Sequence, residues 1–186
     1  MLASSCAEQN TKPAATDLQD NSSESQSVNS SERERYRDAI TALNNKDFST
    51  AQSILSEFIR NKPKLAGAYS NLALLHLKKQ EYDKSLQMAN KAIELNPKQA
   101  QAYNLRGQVY VNLGKIHDAK KDYAKSIELK PAYLNAQYNL ALLYDIYLQE
   151  IDLAIKHYEI YMSLLKTPDV ATKEWIDHLK GTQNNG

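Results

Sequence analysis

Apolar and small side chains recur along the chain with a spacing of 34 residues. When residues 66–99 are aligned with residues 100–133 without a gap, the matched pairs are Tyr69 with Tyr103, Ala73 with Gly107, Tyr82 with Ile116, Ile93 with Ile127, Leu95 with Leu129 and Pro97 with Pro131. Upstream, Phe48, Ala51, Ile59 and Pro63 precede Tyr82, Ser85, Ile93 and Pro97 by the same interval. A sustained period of this length indicates a repeat architecture, in which each unit packs against its neighbours.

Each repeat is predicted to be a pair of helices. Glycine and proline number only five each in 186 residues, which favours helices over a β-rich fold with many turns. Gly114 is expected to end the first helix of its repeat, and Pro97 and Pro131 stop the second helices. Ala73 and Gly107 are expected where paired helices come closest, with Ala92 and Ser126 at a second small position, because packed interiors leave little room for added volume.

The boundaries follow from this register. A polar tail is predicted over residues 1–31, four repeats over about 32–65, 66–99, 100–133 and 134–168, a capping helix over 169–180, and a frayed end over 181–186. Ser31 and Glu34 form a predicted capping box at the start of the first helix, and Ser49 is a candidate cap for the second.

The fourth repeat departs from the pattern. Ala154 and Tyr158 reach their expected places only after a shift of one residue, so an extra residue is predicted in the turn, and Tyr161 occupies a position that is normally small. In the capping helix, Val170, Trp175, Ile176 and Leu179 are expected to share one face and cover the end of the core.

The 34-residue period, with small residues at set points and a proline near the end of each unit, resembles the tetratricopeptide repeat family over residues 32–168. The resemblance implies an all-α fold, a right-handed α-solenoid of about four helix pairs plus a C-terminal capping helix. In this family the first helix of each pair lines a concave face, where peptides usually bind. The expected function is therefore protein–protein interaction without catalysis.

Composition supports that expectation by excluding other classes. Residues 1–31 carry a charge of −3 and residues 32–186 a charge of +4, so the repeat domain lacks the basic surface of a nucleic-acid binder. His76, His117, His157 and His178 fall on different predicted helices without metal-ligand spacing, and His76 is expected to pack. No catalytic site, metal or cofactor is predicted. The lysines at 115, 120, 121, 125 and 130 are interpreted as a solvated face.

A partner-binding groove can be projected from the family geometry. It comprises Tyr36, Arg37, Asn71, Asn104, Gln108, Asn112, Tyr138 and Asn139. Side-chain amides donate and accept hydrogen bonds, which suits the backbone of an extended peptide, and tyrosine adds apolar contact at low entropic cost. The alternative is that these are solvated polar residues without a binding role.

One family function is disfavoured. Asn71 matches a position of the carboxylate clamp that binds acidic chaperone tails, but the flanking clamp positions hold Tyr36, Ile40, Gln101 and Leu105. Without cations at those positions, a terminal carboxylate has no charge-assisted partner.

The N-terminus carries a separate signal. Leu2 to Cys6 resembles a bacterial lipobox, in which the cysteine becomes the acylated N-terminal residue, and a polar tether follows it. No basic or apolar signal region precedes the motif, so an incidental thiol on a disordered tail is the alternative. If the cysteine is lipidated, Ala7 after it resembles the signal for outer-membrane sorting.

The leading hypothesis is a scaffold tethered by lipid at Cys6 to the periplasmic side of a Gram-negative outer membrane. It resembles small envelope lipoproteins with these repeats, which include pilotins and adaptors of cell-wall hydrolases. The alternatives are a soluble cytoplasmic adaptor and an oligomer that self-associates through the Trp175 helix or the fourth repeat.

Overall fold

The structure, a computed structural model, describes residues 29–183, and these residues form consecutive pairs of helices. They divide after Leu95 into two compact units, here called the N-terminal and C-terminal units. In the N-terminal unit the helices are α1 (Ser30–Asn44), α2 (Phe48–Asn61), α3 (Ala66–Lys78) and α4 (Tyr82–Leu95). In the C-terminal unit they are α5 (Ala100–Asn112), α6 (Ile116–Leu129), α7 (Leu134–Leu142) with a π-helical continuation (Leu143–Leu148), α8 (Ile151–Leu164) and α9 (Val170–Gln183). The predicted tail up to residue 28, with Cys6, lies outside the described residues.

Helix α1 begins one residue before the predicted cap. Asn29 Oδ1 accepts a hydrogen bond from the Glu32 amide at 2.9 Å, and the Asn29 amide donates to Glu32 Oε2 at 2.8 Å. The capping box is therefore Asn29–Glu32, and the prediction of Ser31–Glu34 was wrong. Both pairs have a capping oxygen followed three residues later by a glutamate, and the upstream pair lengthens the helix by two residues.

The cap of α2 also differs from the prediction. Asp47 Oδ1 accepts from the Thr50 amide at 3.1 Å, so Asp47 is the cap and not Ser49. A carboxylate in this place satisfies a free amide of the first turn and interacts favourably with the positive end of the helix dipole. The pKa of Asp47 is lowered accordingly, first by the hydrogen bonds from Thr50.

Each first helix ends in a residue of left-handed conformation, at Lys46, Gln80, Gly114 and Gln149. These residues are spaced by 34, 34 and 35 positions. The prediction that Gly114 ends its helix is confirmed by a φ of 71°. The residue after each one, as in Lys115 to Tyr110 at 2.8 Å, returns a backbone hydrogen bond to the helix.

The extra residue of the fourth repeat lies in the first helix and not in the turn. In the first three repeats the closing hydrogen bond joins residues five apart, whereas Glu150 bonds to the Tyr144 carbonyl six residues back, at 2.9 Å. The intervening segment is the π helix Leu143–Leu148. A single inserted residue is commonly absorbed in this way, because a π turn widens the helix and leaves the geometry of the following turn intact.

The C-terminal unit has its own core, and α9 covers part of it. Ile176 and Leu179 are each 6% exposed and pack in one cluster with Tyr158, Leu140 and Ala154. Trp175 and Val170, however, are 42% and 62% exposed, so their predicted place in the covering face was wrong. The buried face of α9 follows the spacing Thr172, Ile176, Leu179 instead.

Helix α9 also continues past the predicted end at residue 180. It runs through Gln183, and the Thr182 hydroxyl donates to the Leu179 carbonyl at 2.7 Å. The Gln183 side chain donates to Asp152 Oδ1 at 2.8 Å. These contacts with the helix and with α8 keep residues 181–183 helical, where fraying was predicted.

Candidate partner-binding surface

The predicted groove residues lie on first helices, but in the N-terminal unit two of the three lie in the interior. Tyr36 is 3% exposed, and its ring packs edge-on against Phe58 with centroids 5.2 Å apart. Asn71 Nδ2 donates to the Tyr36 hydroxyl at 2.6 Å and to the Gly67 carbonyl at 3.0 Å. Arg37 is exposed. Tyr36 and Asn71 therefore join α1 to α3 within this unit.

In the C-terminal unit an amide pair joins the two first helices. Asn139 Nδ2 on α7 donates to Asn104 Oδ1 on α5 at 3.0 Å. Asn104 is 3% exposed, whereas Asn139 is partly exposed. The bond brings the α5 face that carries Asn104 against the α7 face that carries Asn139. Residues one turn away on either helix lie on these same faces.

Tyr138 is held by aromatic contacts with the second helix of its own repeat. Its ring centroid lies 4.9 Å from that of Tyr161 and 5.8 Å from that of Tyr158. The same pair of positions holds Tyr36 and Phe58 in the first repeat but Ser70 and Ala92 in the second. The large residue at 161 therefore matches a large residue on the facing helix.

Gln108 and Asn112 follow Asn104 by one and two turns on α5. Asn112 is exposed, and its Nδ2 donates to the Gln108 carbonyl at 2.8 Å, which orients its side chain along the helix. Gln108 is partly exposed. Of the predicted groove residues in this unit, Asn112 alone is exposed, and Gln108, Tyr138 and Asn139 are partly exposed. The binding role of all eight predicted residues stays a prediction.

Tyr147, which was not among the predicted groove residues, occupies the position in the fourth repeat that Asn112 occupies in the third. Like Asn112, it stands two residues before the left-handed residue that closes its helix, so it is the counterpart of Asn112 one repeat later. Tyr147 is 51% exposed and the preceding Ile146 47% exposed. Sequence reasoning missed both because it assigned the inserted residue to the turn; alignment on Gly114 and Gln149 would have found them.

Asp145 links this π segment to α9. Its Oδ2 accepts a hydrogen bond from Trp175 Nε1 at 2.7 Å and one from the Tyr158 hydroxyl at 3.1 Å. The Trp175 indole in turn stacks on His178 with centroids 5.2 Å apart. The exposed tryptophan is therefore held beside the π segment by a charge-assisted hydrogen bond.

An ion pair between α5 and α6, with Asp122 buried and Arg106 partly buried, was not foreseen from the sequence. Arg106 Nε donates to Asp122 Oδ2 at 2.7 Å, and Arg106 Nη2 donates to Asp122 Oδ1 at 2.8 Å. The guanidinium lies 5.6 Å and 5.7 Å from the ring centroids of Tyr103 and Tyr110. The hydrogen bonds to Asp122 raise the pKa of Arg106. Its charge is therefore compensated inside the repeat.

In the N-terminal unit His76 is buried at 8% exposure, and its Nδ1 lies 2.7 Å from Glu81 Oε2. The hydrogen bond from His76, followed by that from Lys79, lowers the pKa of Glu81 to about 2. Across residues 29–183 no group of three or more metal-binding side chains could hold a metal ion.

The lysines of the predicted solvated face are engaged along α6. Lys121 pairs with Asp118, Lys125 with Glu128 and Lys120 with Glu150. Lys115 and Lys130 lie over the rings of Tyr110 and Tyr133. These short-range pairs leave little unbalanced charge for a ligand, as expected of a solvated helix face.

Comparison with known proteins agrees with the helix-pair register. Sequence profiles of the tetratricopeptide repeat match residues 66–99 and residues 100–133. The chain is a tetratricopeptide repeat protein. Proteins of this family mediate protein–protein interaction, and their fold is an all-α repeat solenoid, as the sequence predicted.

The chain is 33% identical over 78 residues to the photosystem I assembly protein Ycf3 of Prochlorococcus marinus, a match covering 40% of this chain and 45% of Ycf3. The chain thus spans less than half the length of this curated relative. Among solved structures, TTC0263 of Thermus thermophilus matches with a TM-score of 0.68, at 20% identity over 78% of this chain and 79% of that one. MamA matches with a TM-score of 0.66, at 20% identity over 78% and 84%. These two likenesses show the fold alone.

Within residues 29–183, every helix is too short or too polar to cross a bilayer.

Proposed function

We propose that this protein is a non-enzymatic scaffold that holds a segment of a partner protein on the first helices of its C-terminal unit. The observation that carries the proposal is the set of exposed and half-exposed side chains that α5, and α7 with its π continuation, carry beyond the Asn104–Asn139 bond. We call it the first-helix surface, and it comprises Gln108, Asn112, Leu142, Ile146 and Tyr147. Amides beside aliphatic and aromatic side chains suit the backbone and side chains of an extended segment.

Two further observations support a binding role. Exposed Ile146 and Tyr147 are unusual beside a well-packed core, and clustered exposed apolar side chains often mark interaction sites. Ycf3, which matches part of this chain, is named as an assembly protein, and a comparable assembly or adaptor role is proposed here.

We further propose that the scaffold is tethered to a bacterial envelope membrane through a lipid on Cys6. The support is the sequence alone: small residues before the cysteine, Ala7 after it, and a polar stretch between the cysteine and α1. Such a stretch would let the repeats reach a partner some distance from the membrane surface.

Site-specific crosslinking tests the binding role. A photoreactive residue is placed at Gln108, and at Lys121 as a control on the outer face of α6, where the lysine side chain is 77% exposed. We expect one dominant adduct from position 108 in cells of the source organism, and none of that mass from position 121. Equal adducts from both positions, or none from 108, would contradict the proposal.

The same preparation tests the anchor. The chain is expressed from its native upstream region, and its intact mass is measured beside that of Cys6→Ser. A chain that begins at an acylated Cys6, with the acylation absent from Cys6→Ser, is the expected result. An unmodified chain that retains residues before Cys6 would favour the soluble adaptor.

A further inference from the structure

We infer that the partner segment bound on the first-helix surface is uncharged and carries a bulky apolar side chain, which seats against Ile146 and Tyr147. The inference rests on the proposed function and adds the chemical class of the ligand. Its basis is the distribution of charge between the helices of the C-terminal unit and the exposure created by the π segment.

The first helices of this unit are almost free of charge. Over α5 and over the whole of α7 with its π continuation, the charged residues are Arg106 and Asp145 alone. Arg106 is neutralised by two hydrogen bonds to Asp122, and Asp145 accepts from Trp175 and Tyr158. By contrast, α6 alone carries six charged residues along its 14 positions.

This contrast argues against a charged ligand. A carboxylate-rich or lysine-rich segment would lose hydration on this surface without gaining an opposite charge, which costs free energy. Gln108 and Asn112 instead offer neutral donors and acceptors that match a peptide backbone. The surface is therefore complementary to an uncharged segment.

The π segment supplies the apolar end of the surface. By the repeat register Tyr147 replaces Asn112, so the polar amide of the third repeat gives way to an aromatic ring in the fourth. Ile146 lies beside it at similar exposure, and Leu142 lies one turn before, on the face that Asn139 marks. An aromatic and two aliphatic side chains in this arrangement favour a bulky apolar side chain on the ligand.

Trp175 provides a reporter at this end. It is the sole tryptophan of the chain, it is 42% exposed, and its indole nitrogen is bonded to Asp145, the residue before Ile146. Because the indole is bonded to the residue that precedes Ile146, we expect a ligand side chain on Ile146 and Tyr147 to change the polarity around the indole and to shift its emission.

The test is selection of random linear peptides displayed on phage against the full chain, followed by titration of the enriched synthetic peptides with tryptophan emission as readout. We expect enriched peptides that lack Asp, Glu, Lys and Arg, contain Leu, Ile or Phe, and bind equally at low and high salt. The double variant Ile146→Asn/Tyr147→Asn should bind about tenfold or more weakly, because truncated anchors each cost more than about 1 kcal/mol. Val170→Asn, which changes another exposed apolar residue of the same unit, is the matched control and should bind normally.

Several results would overturn the inference: enrichment of charged peptides, no enrichment, or equal loss of binding in both variants. A dimer seen by light scattering and dissolved by Tyr147→Asn would also overturn it, because the occupant would then be a second copy. None of these results would remove the crosslinked adduct from position 108. Absence of that adduct would contradict the proposed function itself, so the two failures can be distinguished.

Discussion

Single small residues set how closely paired helices approach. Ser85 Oγ donates to the Ala73 carbonyl at 2.7 Å, and Ser126 Oγ donates to the Ala100 carbonyl at 2.8 Å, so a second-helix hydroxyl reaches the backbone of a first helix. At Gly107, an added methyl group would lie 2.6 Å from Cε1 of Tyr123. Tyr123 is 3% exposed, so its ring has little room to move away.

Gly107→Ala is therefore expected to destabilise the protein although alanine favours helices. Overpacking costs about 1–3 kcal/mol, against a propensity gain of about 1 kcal/mol, so we expect a net loss of up to about 2 kcal/mol in the free energy of unfolding. The control is Gly181→Ala, also in a helix, where nothing lies within 4 Å and a gain of about 0.5–1 kcal/mol is expected. Urea denaturation of both variants measures the difference, and equal changes would show that packing at Gly107 is not tight.

At the scale of the element, equivalent interior positions hold an ion pair in one repeat and apolar side chains in another. Arg106 and Asp122 occupy the positions of Leu72 and Met88 in the preceding repeat, which belong to an apolar cluster there. The third repeat thus holds an ion pair where the second holds aliphatic side chains. Leu72 and Met88 show that an apolar pair can fill these two positions of a repeat.

That comparison predicts the effect of placing the apolar pair of the second repeat at positions 106 and 122 of the third. Asp122→Met alone leaves the half-buried Arg106 without its carboxylate and should cost about 3–5 kcal/mol. Arg106→Leu/Asp122→Met, which installs the residues of the second repeat, should be neutral or stabilising by up to about 4 kcal/mol. Chemical denaturation of the single and double variants decides this. A double variant as unstable as the single would mean that the ion pair is needed for packing of the third repeat.

The π segment is the other element-scale feature. The left-handed closing residue and its backbone bond are kept in every repeat, so the insertion had to be absorbed within α7. The consequence is local: a wider turn, an aromatic residue at the Asn112 position, and a carboxylate placed to hold Trp175.

At the scale of the whole molecule, the C-terminal unit contains a group that links its stability to pH. His157 stacks on Tyr144 at 5.6 Å, and its Nδ1 lies 2.7 Å from Gln137 Oε1. Gln137 Nε2 donates to the Pro131 carbonyl at 2.9 Å, which leaves Oε1 to accept from the imidazole. Burial, and secondarily Lys156, lowers the pKa of His157 from its ordinary 6.5.

Because the folded pKa is below 6.5, the unfolded chain takes up the proton first as the pH falls. The contribution of His157 to stability is therefore complete above about pH 6.5 and is lost on acidification towards the folded pKa. Urea unfolding followed by Trp175 emission reports this unit, and we expect its midpoint to fall below pH 6.5. His157→Gln should flatten that part of the profile; an unchanged profile would assign the pH dependence to other groups.

The repeat architecture was determined by the sequence itself. Each helix pair is specified by local sequence features. These are small residues where the helices touch, a left-handed residue after each first helix, and a proline after each second helix. These signals recur at 34 positions and depend little on distant residues, so the all-α fold and the register of Ala73, Gly107 and Gly114 followed from pattern alone.

Only the tertiary structure decided which polar side chains face solvent. Tyr36, Asn71 and Asn104 look like surface residues in the pattern, but each finds a partner on a neighbouring first helix and is buried. The Arg106–Asp122 pair and the exposure of Tyr147 likewise depend on contacts between helices and on where an inserted residue is absorbed. Such choices are free-energy differences between competing packings, and a one-dimensional period contains no information about them.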